Sequence, residues 1–323
     1  MPLEVMLDNK NGNMWDISQI VTSVTWKTSR IGKASSCELT LIKGGLFQST
    51  AFQVNNGDIV RVRKDDTNVF YGYVFTVNTG KDEQVKLTAY DQTRYLMAND
   101  TYVLKNVTAT EVIRKIAGDF GLKVGQLADT KHKIPSMVED NKKLMDTICK
   151  ALDSTLIATT RNYTFYDDFG ELRLRDIEDS IVECLIGDES LLVDYEYKRS
   201  IDSETYNRVK LVQNNKQTGK RDVYIAQDSA KIAQWGRLQY FNVVDEKQNA
   251  AQINEQLTNL MKLKNREHKS LPLTALGDLR VRAGSVVPVM IKEYDINQYF
   301  LVDECTHSFE GADHTMKLEL KVI

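Results

Sequence analysis

Gly57-Asp58-Ile59-Val60-Arg61-Val62 and Gly284-Ser285-Val286-Val287-Pro288-Val289 are two versions of one phrase, a glycine before a short apolar run, set far apart in a 323-residue chain. The likeness extends on both sides. Phe70-Tyr71-Gly72-Tyr73-Val74 answers to Gln298-Tyr299-Phe300-Leu301-Val302, and Val85-Lys86-Leu87-Thr88 to Met316-Lys317-Leu318-Glu319. Upstream, Val24-Thr25-Trp26-Lys27-Thr28-Ser29 matches Asp194-Tyr195-Glu196-Tyr197-Lys198-Arg199-Ser200, and Leu39-Thr40-Leu41 is aligned with Val209-Lys210-Leu211. Blocks that recur in one order mark a duplicated unit; the competing reading is chance resemblance between amphipathic strands. Pro288 stands where the first copy has Arg61. Proline lacks the N–H that a central strand donates, so that strand is expected at an edge or bulge.

The repeated unit reads as β structure. Residues 20–27, 37–42, 59–63, 69–77 and 85–90 are short runs rich in β-branched and aromatic residues. They are broken at Gly32, Gly44-Gly45, Asn55-Asn56-Gly57 and Asn78-Thr79-Gly80, which predicts a small antiparallel barrel or sandwich over 1–100. The period then changes. Thr108-x-x-Glu111 is a capping-box pattern, followed at helical spacing by Val112, Ile113, Ile116, Ala117 and Phe120, with Gly121 placed to end the helix. A second helix carries Leu144, Met145, Ile148, Cys149 and Leu152. Residues 155–160, 163–166 and 171–175 read as a meander turned at Asp167-Asp168-Phe169-Gly170, making 101–180 an α+β unit.

The second copy, 181–323, is interrupted. Leu41 and Gly57 are 16 residues apart, whereas Leu211 and Gly284 are 73 apart. That places an insertion at about 213–272, holding a long helix with Ala250, Ile253, Leu257, Leu260 and Met261 on one face. Asp245-x-x-Gln248 is its expected cap and Pro272 its stop. The fold expected is therefore mainly β: two homologous small antiparallel β-barrels, the second interrupted by a helix-containing insertion, and a middle α+β domain.

Composition sets limits on function. With 42 Lys+Arg against 45 Asp+Glu, and a net charge of −3, no basic surface for general nucleic-acid binding is expected. The first residues show no basic stretch followed by an apolar one, so no signal peptide is read there. The apolar run Val286 to Ile291 is far short of the about 20 residues that a membrane-spanning helix needs. Cys37, Cys149, Cys184 and Cys305 are widely separated, which suggests buried free thiols and no disulfide.

Chemistry-bearing motifs are sparse. Gly-x-Ser-x-Gly, Gly-x-Gly-x-x-Gly and His-Glu-x-x-His do not occur, and Gly32-Lys33 continues with Ala34 rather than the hydroxyl residue of a phosphate loop. Cys305, His307 and His314 are the one grouping of metal-capable side chains. On a strand the first two share a face, and a hairpin could return the third, but three ligands without a fourth make a weak site. Asp167-Asp168 could be an acid pair; before Phe169-Gly170 it more simply builds a turn. No catalytic, cofactor-binding or metal residue is assigned, and no cofactor is expected.

Several stretches together resemble a known family. Asn56-Gly57-Asp58-Ile59-Val60, Val69 to Phe75, Leu87 to Leu96, Phe165 to Gly170, Gly219 to Tyr224, Trp235 to Gln239 and His314 to Leu318 are similar, in order, to hub proteins of contractile phage tails. The likeness is to the XkdQ type of Gram-positive myophages, PBSX-like defective prophages and phage-tail-like bacteriocins. It implies a non-enzymatic structural protein of the tail baseplate, assembled in the host bacterial cytoplasm. A homotrimer would sit between the six-fold inner tail tube and the three-fold central spike, with tape measure and baseplate wedge proteins as further partners. No small-molecule substrate, sequence-specific nucleic acid or membrane insertion is implied. Larger family members carry a fused wall-degrading domain, and the strand ending near Ile323 is expected to leave no room for one. The alternatives are a peptidoglycan-binding or peptidoglycan-cleaving tail protein built on 101–180, and a hub of another contractile injection system.

Overall fold

Among the described residues up to Tyr90, alternation becomes seven strands: β1 (Leu3–Asp8), β2 (Met14–Asp16), β3 (Val21–Ser29), β4 (Ser36–Ile42), β5 (Ile59–Lys64), β6 (Thr67–Thr79) and β7 (Gln84–Tyr90). The computed structural model describes residues 3–45, 49, 51–202, 204–215 and 219–322; Met1 and Pro2 of the N-terminal reading, part of the expected insertion and the terminal Ile323 lie outside the described residues. The strands run antiparallel in the order β3-β4-β7-β6-β5-β1-β2. Period-two patterning decides which face is covered: Val24, Trp26, Leu39, Leu41, Val60, Val62, Leu87 and Ala89 form one buried cluster, while Thr25, Lys27, Glu38 and Thr40 face away from it.

The middle segment supplies β8 (Asn99–Val107), α1 (Ala109–Asp119), β9 (Val124–Leu127), β10 (Ile134–Lys143), α2 (Leu144–Thr159), β11 (Tyr163–Asp167) and β12 (Leu172–Asp176). The capping box is present: the Thr108 hydroxyl accepts from the Glu111 N–H, and the Glu111 carboxylate accepts from the Thr108 N–H. Val112, Ile113 and Ile116 pack with Leu144, Ile148, Phe165 and Leu172 in a core of their own. Residues 155–159 are not a strand, as the sequence reading had them, but the last turns of α2. Their hydroxyls bond carbonyls four residues back, Thr155 to Ala151 at 3.0 Å and Thr159 to Thr155 at 2.8 Å, so side-chain polarity is satisfied within a helix that buries Thr155.

The remainder forms β13 (Ile186–Gly187), β14 (Leu192–Tyr195), β15 (Lys198–Ser200), β16 (Arg208–Asn215), β17 (Lys220–Gln227), α3 (Ser229–Trp235), β18 (Gln239–Val244), α4 (Ala250–Lys264), β19 (His268–Leu276), β20 (Val286–Ile291), β21 (Ile296–Glu310) and β22 (Asp313–Val322). Here β14 and β15, then β19, β22, β21 and β20, repeat the order of β3, β4, β7, β6 and β5. The copies agree in hydrogen bonds as well. Gly57 N donates to Val74 O at 2.7 Å and Val74 N to Asp58 O at 2.8 Å; Gly284 N donates to Val302 O at 2.8 Å and Val302 N to Ser285 O at 2.9 Å. Bulges recur too: the register slips between Val74 and Thr76 and between Val302 and Glu304, and likewise between Val21 and Ser23 and between Leu192 and Asp194.

One block of the repeat was misaligned. Val209-Lys210-Leu211 is not the partner of Leu39-Thr40-Leu41, because β16 lies in a separate sheet with β17 and β18, and it is β19, through Leu273, that holds the place of Leu39. The interruption therefore falls between β15 and β19, at 201–267, and begins before the expected 213. Both β16 and β19 alternate apolar and polar residues, so alternation alone could not separate them. The cap of α4 is Asn249 with Gln252, one turn beyond Asp245-x-x-Gln248. The helix covers Val209 and Leu211 with Ile253, Leu257 and Leu260 and reaches α2, where Asn259 donates to the carbonyl of Ile157 at 3.0 Å. Pro288 sits in β20, whose second neighbour is only the two-residue β13.

The chain is mainly β, as expected, and its two antiparallel β units are joined: the described pairings form one 14-stranded sheet that passes from unit to unit where β3 meets β21. At 15 residues β21 is long enough for both jobs: Ile296–Leu301 pairs β20, and beyond the bulge Glu304–Glu310 pairs β3.

Candidate functional site

The joint between β3 and β21 places seven residue pairs in register, from Glu304 opposite Ser29 to Glu310 opposite Ser23. The strand contributes to both cores: Cys305 to the second unit's cluster and Phe309 to the first unit's. At the bulge, Asp303 accepts from the Arg30 backbone at 2.9 Å and from its side chain at 3.0 Å, and it also meets Lys321 at 2.6 Å. Burial works to raise the Asp303 carboxyl, but Lys321 and Arg30 outweigh it and hold the group below its ordinary value. Thr28 is buried in the seam, its hydroxyl accepting from Ala283 N at 3.0 Å.

Cys305, His307 and His314 do come together, as strand alternation and the hairpin return predict. Cys305 Sγ lies 3.2 Å from His307 Nε2, and His307 Nδ1 lies 3.0 Å from His314 Nε2. The Val281 carbonyl, 2.8 Å from His307 Nε2, can only accept, so that nitrogen carries the proton. His307 Nδ1 then accepts from His314 Nε2–H, and His314 Nδ1 accepts from Lys64 Nζ at 3.3 Å. The result is a one-way chain of donors from Lys64 to Val281, with both imidazoles neutral. Burial, joined at His314 by the neighbouring His307, lowers both histidines to about 4. Among the described residues no group of three or more His, Cys, Asp or Glu side chains forms a metal-binding constellation. The His307 ring stacks on Trp26 of β3, centroids 5.1 Å apart.

The Asp pair sits beside this joint. Asp167 is buried and accepts from Gly170 N at 2.8 Å, the turn role, and from Gln92 Nε2 at 2.7 Å. Burial, then the charge of nearby Asp91, pushes Asp167 up to about 7. Asp168 is half exposed and paired with Arg173 at 3.0 Å. The sequence reading missed Arg282, which ties the three units together: its guanidinium lies 4.0 Å from the Tyr166 ring centroid and 5.8 Å from that of Trp26, and it donates to the Asp167 carbonyl at 3.0 Å. Neither Trp26 nor Arg282 belongs to a motif, so only the duplication, which puts both beside repeated strands, could have pointed to them. Burial raises the thiols of Cys37 and Cys305 above their ordinary range, which disfavours the nucleophilic thiolate form.

The arrangement is a rigid seam of stacked rings, ion pairs and neutral hydrogen bonds rather than a cleft with a poised nucleophile. The family model described as YQBQ-like matches residues 24–321. The chain belongs to the YQBQ-like family. Within reach of this family, the chain is 31% identical over 305 residues to the phage-like element PBSX protein XkdQ of Bacillus subtilis strain 168, covering 93% of this chain and 92% of that one. Its fold is similar to that of a tail protein from Neisseria meningitidis MC58, with a TM-score of 0.73 at 14% identity, covering 100% of this chain and 97% of that one. It is also similar to the c3393 protein of Escherichia coli, with a TM-score of 0.59 at 8% identity over 99% of this chain and 76% of the other; that protein is described as a component of the type VI secretion system with structural similarity to T4 tail proteins gp27 and gp5. The YQBQ-like chain is thus similar in sequence to a phage-like element protein and in fold to tail proteins.

Proposed function

We propose that this protein is a non-enzymatic hub at the base of a contractile tail, a homotrimer that adapts the six-fold inner tail tube to a three-fold spike. The observation that carries this is the duplication: two β units with one strand order, the same glycine turn and the same bulges, fused edge to edge through β3 and β21. Three copies present six such units, so one end of the assembly can match a six-fold ring while the single-copy elements, the 99–176 unit and the insertion, keep three-fold symmetry. The relationship to XkdQ and the fold shared with tail proteins support the tail setting.

The family setting extends to phage tails, phage-tail-like bacteriocins and other contractile injection systems. Assembly in the bacterial cytoplasm fits the four free cysteines, three of them buried. The test is cryo-electron microscopy of isolated particles together with light scattering of the purified chain. Three copies on the particle axis between tube and spike are expected; a position away from the axis, or a copy number other than three, would overturn the reading.

A further inference from the structure

The joint inside one chain has a mirror in two edges that the fold leaves open. In the second unit β14 and β15 correspond to β3, and among the described residues they pair with β19 alone. In the first unit the distal half of β6 corresponds to the part of β21 that pairs with β3, and among the described residues Thr76–Thr79 pairs with β7 alone. Exposure follows the same division position by position: Thr76 and Asn78 are exposed where Glu304 and Thr306 are half-buried, Val77 is half-buried where Cys305 is buried, and Thr79 is exposed where His307 is buried. An unpaired strand edge offers a row of backbone donors and acceptors that calls for a partner or a guard.

We infer that these two edges pair with one another between successive copies of this chain, reproducing the inner joint from outside. Both equivalences are fixed by shared bulges and by register, so the inner ladder can be carried over residue by residue. Glu304 opposite Ser29, Cys305 opposite Thr28, Thr306 opposite Lys27 and His307 opposite Trp26 become Thr76 opposite Ser200, Val77 opposite Arg199, Asn78 opposite Lys198 and Thr79 opposite Tyr197. No like charges meet in these four pairs. Beside them the Arg30–Asp303 ion pair is replaced by Ile201 and Phe75, an apolar pair at the corresponding places. A lysine at this edge does not bar pairing, since Lys27 holds the same position in the filled joint.

The contact is heterologous, each copy giving one edge and receiving on the other, so it closes a ring when the rotation permits. The inference rests on the trimer reading, which makes the ring one of six β units. It goes further by naming the strands and the register.

Disulfide trapping tests it in the full chain. Cysteines at directly opposed positions lie within disulfide reach, whereas a slip of two residues along the strand adds about 7 Å and takes them out of it. Asn78→Cys with Lys198→Cys should give, on mild oxidation, covalent dimer and trimer and nothing larger, in the purified chain or in isolated tail particles. Asn78→Cys with Ser200→Cys, slipped by two, should cross-link at least ten-fold less. Wild type, with its four native cysteines, is the background. If the wild-type chain is trimeric by light scattering or in particles yet the opposed pair fails to cross-link, or the slipped pair does as well, the register is overturned and the hub reading survives. If the chain is monomeric in both settings, the hub reading falls and takes this inference with it.

Discussion

Trp26 and His307 stand opposite each other in the ladder that joins the two β units, their rings stacked 5.1 Å apart and only 16° from parallel. The two residues are separated by most of the chain, so the contact bonds the units rather than either one alone. Trp26 is also the ring against which Arg282 lies, linking the seam to the middle unit through Tyr166. Trp26→Ala should therefore cost about 3 to 5 kcal/mol, the range for emptying a large aromatic site. Lys27→Ala, one residue on and half exposed, should cost about 0.5 kcal/mol or less. Urea unfolding followed by tryptophan-independent circular dichroism would check both; equal effects would contradict a seam that depends on Trp26.

Acid should loosen the same seam. His307 and His314 have folded values near 4, below the ordinary 6.5, so the folded state binds fewer protons than the unfolded chain between those limits. Stability from this source is intact above pH 6.5 and is lost as pH falls towards 4. Burial is the main reason, and geometry adds to it: a second proton on His307 would point at the His314 N–H and one on His314 would point at Lys64, while Asp278 offsets part of the total. Between pH 6.5 and 4.5 the melting temperature should fall on the order of 5 °C. The variant carrying His307→Asn and His314→Asn, though less stable throughout, should lose less over that interval; an unchanged slope would contradict the chain of neutral imidazoles.

The Asp91–Asp167 pair should act in the opposite sense. Burial raises both carboxyls, and Asp167 is raised further by Asp91, to about 7 against an ordinary 3.8. A raised acid favours its protonated form in the folded state, so its contribution is complete below about pH 3.8 and fades as pH rises through 7. Asp91→Asn removes the neighbouring charge and should lower the Asp167 midpoint, which carboxyl-carbon NMR would follow directly. A midpoint that stays near 7 would assign the whole effect to burial.

How much of this was legible in the sequence depended on whether the information was local. The Thr108–Glu111 cap, the Gly57 and Gly284 turns and the grouping of Cys305 with His307 and His314 are set by spacing within one element or one hairpin, and spacing is what a sequence displays. The alignment of Val209–Leu211 with Leu39–Leu41 failed because β16 and β19 carry the same alternation, and only their ladder partners tell them apart. The joint was invisible for a deeper reason. Opposing Trp26 to His307 is a choice between distant strands, and the side chains that fix it, Arg30 with Asp303 and Lys33 with Glu304, are ordinary surface residues until β21 brings them together.

The duplicated turns give a last, differential prediction. Gly57 and Gly284 make matching hydrogen bonds and share positive φ, 91° and 87°, a region that favours glycine, so alanine at either site strains the backbone by about 1 to 2 kcal/mol. Their surroundings differ. A Cβ on Gly57 would meet nothing within 4 Å, whereas one on Gly284 would fall 2.3 Å from Thr164 Cγ2 and 2.5 Å from its Oγ1, on β11 of the middle unit. Gly284→Ala must then displace that strand as well, adding about 1 to 3 kcal/mol of overpacking. Paired denaturation curves should show Gly57→Ala as mildly and Gly284→Ala as severely destabilising, and Thr164→Ala should relieve only part of the second because its Cβ still lies 2.8 Å away. Equal losses would mean that the second copy's turn does not bear against the middle unit.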